Sequence, residues 1–310
     1  MIKETTRHSL DTLELTSHSF LTESHERLIK ASVRKASTIS KLVQLIDVSN
    51  NEWSKKYWKA FHCNNVFIQQ GDKLKGSLCR KRWCQHCSRI HTAELITGYS
   101  KPLQELQQEQ DLYFVTLTAP TVKARELSNE IKKRYKAFTR IKNNLRVNYS
   151  IGLIGARKLE ITYNEENDKY HPHFHFIQQG KREAELLQDL WLKQFPNASL
   201  KAQDIRLIDA NDTDNLVEIF KYATKQVITS DKTAKALHTI YQSLDGKRVF
   251  QTYGKLSKIQ EPRQEQEEVS NCDFIPPNDE IWVYNLPLKD YDNAKKELLF
   301  NTLDYMELLE

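Results

Sequence analysis

Three of the chain's ten histidines fall within five positions, in the stretch YHPHFHFIQQ at 170–179. A β-strand sends alternate side chains to opposite faces, so His171, His173 and His175 point one way and Pro172, Phe174 and Phe176 the other. Two or three imidazoles on one strand face can grip a metal ion. The preceding stretch, RKLEITYN, reads as the partner strand of a hairpin closed by the polar loop NEENDK. Lys158, Glu160 and Thr162 share one face of it, and if the apolar faces of the two strands coincide, Glu160 faces the histidines. Two histidines and a carboxylate suit a divalent cation that keeps positions open for a substrate oxygen. Phosphodiester chemistry uses such a cation, and so do other metallohydrolases and non-haem iron enzymes. The plain alternative is a chance cluster of surface or core imidazoles.

A second group lies in NDTDNLVEIFKYATKQVI, which reads as a helix with Asp or Thr near its N-cap. At about 100° per residue, Leu216, Ile219, Phe220, Ala223 and Val227 make one stripe, and Glu218, Tyr222 and Lys225 lie opposite. A phenol can act as a covalent nucleophile once its proton is drawn off, and a nearby ammonium such as Lys225 favours the phenolate. Glu218, one turn away, suits a general base. Taken alone, the same residues describe a solvated helix face.

Four of the five cysteines, Cys63, Cys79, Cys84 and Cys87, form C-x15-C-x4-C-x2-C. In a reducing compartment this points to thiolate coordination of one structural Zn²⁺, with His62, His86 and His91 as possible substitutes and buried structural thiols as the alternative. Arg80, Lys81 and Arg82 sit between the cysteines, and Lys132, Lys133 and Arg134 open the basic run KKRYKAFTRIKNNLR. Both groups suit phosphate contacts.

Periodicity gives the strands and helices that carry these residues. The chain has 310 residues, 39% of them apolar, and a net charge of +5, which favours a polyanionic partner. It lacks an apolar run of membrane-spanning length and a signal-peptide core at MIKETTRHSL, so a cytoplasmic location with no membrane partner is expected. Residues 1–60 read as mostly helical, with an apolar stripe at Ile39, Leu42, Val43 and Ile46. A cysteine-rich knuckle spans 61–91, and a helical link runs to about 110. From 111 the order is strand LYFVTLTAP, an amphipathic helix with Leu127, Ile131, Tyr135, Phe138 and Ile141 inward, the hairpin, helix REAELLQDLWLKQF, strand AQDIRLID and the 211–228 helix. This β-α-β-β-α-β order predicts an α+β fold, a ferredoxin-like (split βαβ) antiparallel sheet with helices on one face. FQTYGKLSKI suggests a further strand, EPRQEQEEVSN a linker, and the tail to 310 a helix. The expected division is a helical, zinc-binding region at 1–110, a catalytic domain at 111–260, and a linker and tail of unknown role at 261–310.

Together, CRKRWCQHC, FVTLTAP, KLEITYN with YHPHFHF, EIFKYATK and DGKRVFQTYGKLSK resemble, in order, the rolling-circle plasmid replication initiators. These are the Rep proteins of the HUH endonuclease superfamily, here the branch with one catalytic tyrosine and a cysteine-rich N-terminal segment. The resemblance covers 61–258. It implies that His173 and His175 are the metal pair, Glu160 the third ligand of a catalytic Mg²⁺ or Mn²⁺, Tyr222 the nucleophile and Glu218 the residue of the closing reaction. His171 has no counterpart there. It further implies strand-specific nicking of plasmid double-strand origin DNA, single-stranded or extruded as a hairpin, with host helicase and DNA polymerase as partners. A transposase or conjugative relaxase would share the chemistry, and a non-enzymatic zinc-dependent DNA-binding regulator would keep only the fold.

Overall fold

A computed structural model describes residues 23–70, 73–211, 219–220, 228–259 and 280–294. Helix α1 (Glu23–Asp47) packs on α2 (Asn51–Phe61), whose first turn is capped by the Asn50 side chain accepting from Trp53 N. The inward face of α1 keeps Leu42 and the half-buried Ile46 of the expected stripe but is rotated away from Val43. Leu28, Ala31, Lys35, Thr38, Leu42 and Leu45 are buried, whereas Val43 is 44% exposed. Two polar residues set this rotation because each finds a buried partner: Lys35 Nζ donates to the carbonyls of Phe61 and Cys63, and Thr38 Oγ1 accepts from Gln85 N.

Strands β1 (Val66–Gln70) and β2 (Lys73–Gly76) lead through the knuckle into α3 (Gln85–Glu109), the helical link expected to about 110. Four strands then alternate with helices: β3 (Leu112–Leu117), α4 (Ala124–Asn148), β4 (Gly155–Asn164), β5 (Lys169–Gln179), α5 (Lys181–Gln194) and β6 (Asp204–Ile208). Helix α6 (Asp231–Leu244) and strand β7 (Phe250–Tyr253) follow, and β8 (Glu280–Asn285) and β9 (Asp290–Ala294) close the described chain. The larger sheet has the order β6-β3-β5-β4-β7 and is antiparallel throughout. The smaller, β2-β1-β8-β9, joins the hairpin at 280–294 to the knuckle. The sequence led us to expect a helix over that stretch. The residues Ile-Trp-Val-Tyr at 281–284 are strand formers, and they find their edge at β1.

Strand alternation divides the larger sheet into two apolar faces. Val115, Leu117, Leu159, Ile161, Phe174 and Phe176 pack under α4 and α5. Leu112, Phe114, Ile177 and Ile208 meet Leu95, Tyr99 and Leu103 of α3, together with Ile219 and Phe220. Helices therefore cover both faces, not one, because α3 supplies the second layer. Helix α6, which we did not foresee from the sequence, is capped by Ser230 accepting from Thr233 N. It joins two cores: Ala236, Ile240 and Leu244 enter the sheet core, and Leu237 and Tyr241 pack with Trp53, Tyr57 and Trp83 beside the cysteines. No helix among the described residues is long and apolar enough to cross a membrane.

Candidate active site and metal centres

The hairpin register places Glu160 opposite His173, Lys158 opposite His175 and Thr162 opposite His171. One ligand atom each from Glu160, His173 and His175 lies within 4.8 Å of the others. The two imidazole Nε2 atoms are 3.1 Å apart, and His175 Nε2 is 3.4 Å from Glu160 Oε2. The far nitrogens are held from behind. His173 Nδ1 donates to the backbone carbonyl of His171 (3.0 Å), and His175 Nδ1 meets Thr116 Oγ1 at 3.1 Å. A carbonyl can only accept, so His173 carries its proton on Nδ1 and turns the Nε2 lone pair inward. Burial, reinforced by His175, lowers the His173 pKa to about 4, which keeps the ring neutral near pH 7. Backing of the outer nitrogen is how metal-bound imidazoles are held.

Glu160 fits the same purpose. Burial would push its carboxyl up, but the His175 imidazole and then the charge of Lys158 outweigh it and hold the pKa at about 2. Its buried Oε2 nevertheless makes no hydrogen bond. An ionised oxygen whose close cations, Lys158 at 3.3 Å above all, are not aligned as hydrogen-bond donors, and a converging imidazole lone pair, form a donor set that a divalent cation would satisfy. His171 stands outside the set and stacks on His173, with ring centroids 5.0 Å apart at 26°. Sequence reasoning gave no role to Thr116 and Lys158. Strand parity in FVTLTAP and RKLEITYN was the signal that could have found them.

The four cysteines also converge, their sulfurs all within 4.8 Å of one another. Cys63 follows α2, Cys79 follows β2, and Cys84 and Cys87 open α3, where the helix N-terminus favours thiolates. The Cys63–Cys87 and Cys79–Cys87 sulfur distances are 3.5 and 3.6 Å, too long for bonded sulfurs and suited to ligands of one ion. Hydrogen bonds from Cys63, Cys79 and Cys87 hold the Cys84 thiol far below its usual range. Among the described residues none of His62, His86 and His91 joins the set.

The basic residues divide. Arg80, Lys81, Lys132 and Lys133 are exposed, with Lys133 2.5 Å from Glu130. Arg82 turns partly inward, its guanidinium donating to the carbonyls of Leu244 and Lys247. Arg134 corrects the expectation of a phosphate contact, since it is fully buried. Its guanidinium donates to the carbonyls of Pro172, Glu130 and Pro120 and pairs with the Glu130 carboxylate at 3.0 Å, tying α4 to β5. Tyr222, Glu218 and Lys225 lie outside the described residues; Ile219 and Phe220 between them are buried against α3.

Residues 72–296 match the family model Rep_1, described as "Replication protein". "Protein rep" of Staphylococcus aureus is 31% identical over 184 residues, 53% of this chain and 79% of the relative. "Protein rep" of Streptococcus pneumoniae serotype 2 is 25% identical over 221 residues, 65% of this chain and 68% of the relative. A "Protein rep" from a Bacillus species is 28% identical over 134 residues, 40% of this chain and 43% of the relative. No solved structure matches the chain. The match takes in the histidine strand, its Glu160 partner and three of the four clustered cysteines, and the chain belongs to the Rep_1 family of replication proteins.

Proposed function

We propose that this protein initiates rolling-circle plasmid replication by nicking one strand of origin DNA, as an HUH endonuclease. The observation that carries this reading is the convergence of His173, His175 and Glu160 on one buried sheet face in a chain of the replication-protein family. The β6-β3-β5-β4 strand order, with α4 and α5 as the connecting helices, supports a ferredoxin-like core for that site.

A divalent cation, Mg²⁺ or Mn²⁺, held by His173, His175 and Glu160 would supply Lewis-acid polarisation of the scissile phosphate. Of the two, imidazole ligands favour Mn²⁺. In the reading taken from the sequence, the Tyr222 oxygen attacks phosphorus, the bond to the 3′ oxygen breaks, and that oxygen leaves as a 3′-OH with a proton. The 5′ end stays on Tyr222 as a phosphodiester, which conserves the bond energy for strand closure. Lys225 favours the phenolate, and Glu218 serves as the base at termination. The freed 3′-OH would prime a host DNA polymerase behind a host helicase, in the cytoplasm where plasmids replicate. The cysteine set would hold a structural Zn²⁺, presenting Arg80 and Lys81 on a rigid knuckle.

The test uses supercoiled plasmid carrying the cognate origin, with Mn²⁺ or with excess chelator. The expected result is an open circle with protein attached to a 5′ end, formed only when the metal is present. Cleavage in chelator, or binding with no cleavage in either condition, would overturn the reading; the second outcome is that of a DNA-binding regulator.

A further inference from the structure

A cavity of about 570 Å³ opens between α3, the β4–β7 side of the larger sheet and the turn leading from α6 into β7. Arg82, Lys158, Lys247 and Arg248 give it four cations, His91 adds an imidazole, and no carboxylate is among its described lining residues. The cationic wall is built rather than accidental. Arg82 donates to the carbonyls of Leu244 (3.0 Å) and Lys247 (3.4 Å), which fixes the turn that carries Lys247 and Arg248. The floor is aromatic: Tyr99 stacks on Phe220 at 5.8 Å, and the half-buried Phe250 meets both rings, at 5.4 Å from Phe220 and 5.7 Å from Tyr99.

A positive wall over an aromatic floor selects a flat ring that carries a phosphate, and the volume lies within the few hundred to ~1,000 Å³ of small-ligand sites. Lys158 then decides where that ligand comes from. It lines the cavity, and its Nζ is 3.3 Å from Glu160 Oε2, so the cavity and the metal-ligand set share a wall. We propose that the cavity takes one nucleotide of single-stranded DNA beside the scissile phosphate, its base on Phe250 and its phosphate on Lys247 and Arg248. This rests on the proposed strand cleavage, and it adds a specificity site for the strand next to the nick.

The experiment measures binding of single-stranded origin DNA in chelator, with one abasic position walked along the strand. Wild-type protein should lose about tenfold in affinity when the abasic position falls at one place, the stacking contribution of a single base. Two variants, Lys247→Gln with Arg248→Gln, and Phe250→Leu, should bind the intact strand less tightly and no longer register that position. An equal abasic penalty in wild type and in both variants, or no position-dependent penalty in wild type, overturns the inference. Competition by a nucleoside monophosphate that leaves the strand bound would overturn the assignment to a strand nucleotide. Cleavage is read separately with Mn²⁺ restored. A strand cut without a position-dependent penalty leaves the proposed function standing and removes the cavity's role. The penalty without cleavage keeps the cavity and removes the proposed chemistry.

Discussion

Lys158 Nζ lies 3.3 Å from Glu160 Oε2, with both side chains almost wholly buried. A carboxylate in this position beside neutral imidazoles would tend to take up a proton, and a protonated carboxyl is a poor metal ligand. The His175 contact and, after it, the Lys158 ammonium keep it ionised. In the proposed metal site the pair would thus prepare the ligand before a cation arrives, although the identical pair with no other role would cost desolvation energy that mutual attraction only partly offsets.

Acid should weaken the fold in two separate windows, measured in chelator by denaturant unfolding. Glu160 has a folded pKa near 2 against an ordinary 4.5, so its stabilisation is complete above 4.5 and is lost as pH falls toward 2. His173 has a folded pKa near 4 against 6.5, so the unfolded chain binds the extra proton first, and stability falls between 6.5 and 4. Each window is worth on the order of 3 kcal/mol. Glu160→Gln should flatten the lower one and His173→Gln the upper. A single unchanged transition in both variants would contradict the geometry.

Purified protein should carry about one zinc per chain, and Cys84→Ser with Cys87→Ser should lose it together with the packing of α1, α2 and α6 around the cluster. Lys35 is the subtler test. Burial lowers its pKa to about 8 while the cysteines oppose the shift, and its Nζ donates to the carbonyls of Phe61 and Cys63. Lys35→Met should lower zinc retention by ~10- to 100-fold, as removal of a group behind metal ligands does. Zinc-free, fully folded wild type would show the cysteines to be thiols of the core.

Salt dependence should separate Arg134 from its neighbours. Lys132→Gln with Lys133→Gln should flatten the slope of log K against log salt for single-stranded DNA by about 1.4, at ~0.7 per phosphate contact. Arg134→Met should leave that slope alone and cost roughly 3 kcal/mol of stability, because three carbonyls lose their donor and the half-buried Glu130 carboxylate is left with Lys133 alone. If the Arg134 variant changed the slope instead, the buried clamp would be the wrong account.

The sequence revealed most where one period governs both faces of an element. Strand parity alone brought Glu160 to the histidines, and the register bears out that pairing. Arg134 was misread because a run of basic residues looks solvated, yet it falls on the same α4 stripe as Leu127, Ile131, Phe138 and Ile141. Helix α6 went unseen because Thr233, His238 and Ser243 lie inward beside Leu237 and Ile240 and blur the apolar stripe, although Lys232, Lys235 and Gln242 line an exposed polar face. The β8–β9 hairpin depends on pairing with β1, near the other end of the chain, and local composition carries no trace of that partner. Glu218, Tyr222 and Lys225 lie outside the described residues, and their test is chemical.

In the proposed cycle a single tyrosine opens the origin, and after one round of replication a second nucleophile must cut the regenerated site. EIFKY sets Glu218 one helical turn before Tyr222, so on a helix both reach the same phosphate region, and Glu218 could deprotonate a water that hydrolyses the new junction. Termination of this kind differs from a two-tyrosine scheme, in which a second covalent link forms. Tyr222→Phe should therefore lose nicking and the covalent adduct together. Glu218→Ala should still form the 5′-phosphotyrosine but fail to terminate, giving multimeric single-stranded products. Monomeric circles from the Glu218→Ala protein would rule out the division of labour. An adduct mapped by mass spectrometry to Tyr163 or Tyr170 would move the nucleophile itself to the histidine hairpin, where Tyr170 is buried and Tyr163 donates to Asp168 at 2.7 Å. Both phenols have pKa values raised above their ordinary range, by burial first and for Tyr163 also by Asp168, which makes either a poor nucleophile and leaves Tyr222 the expected site of attachment.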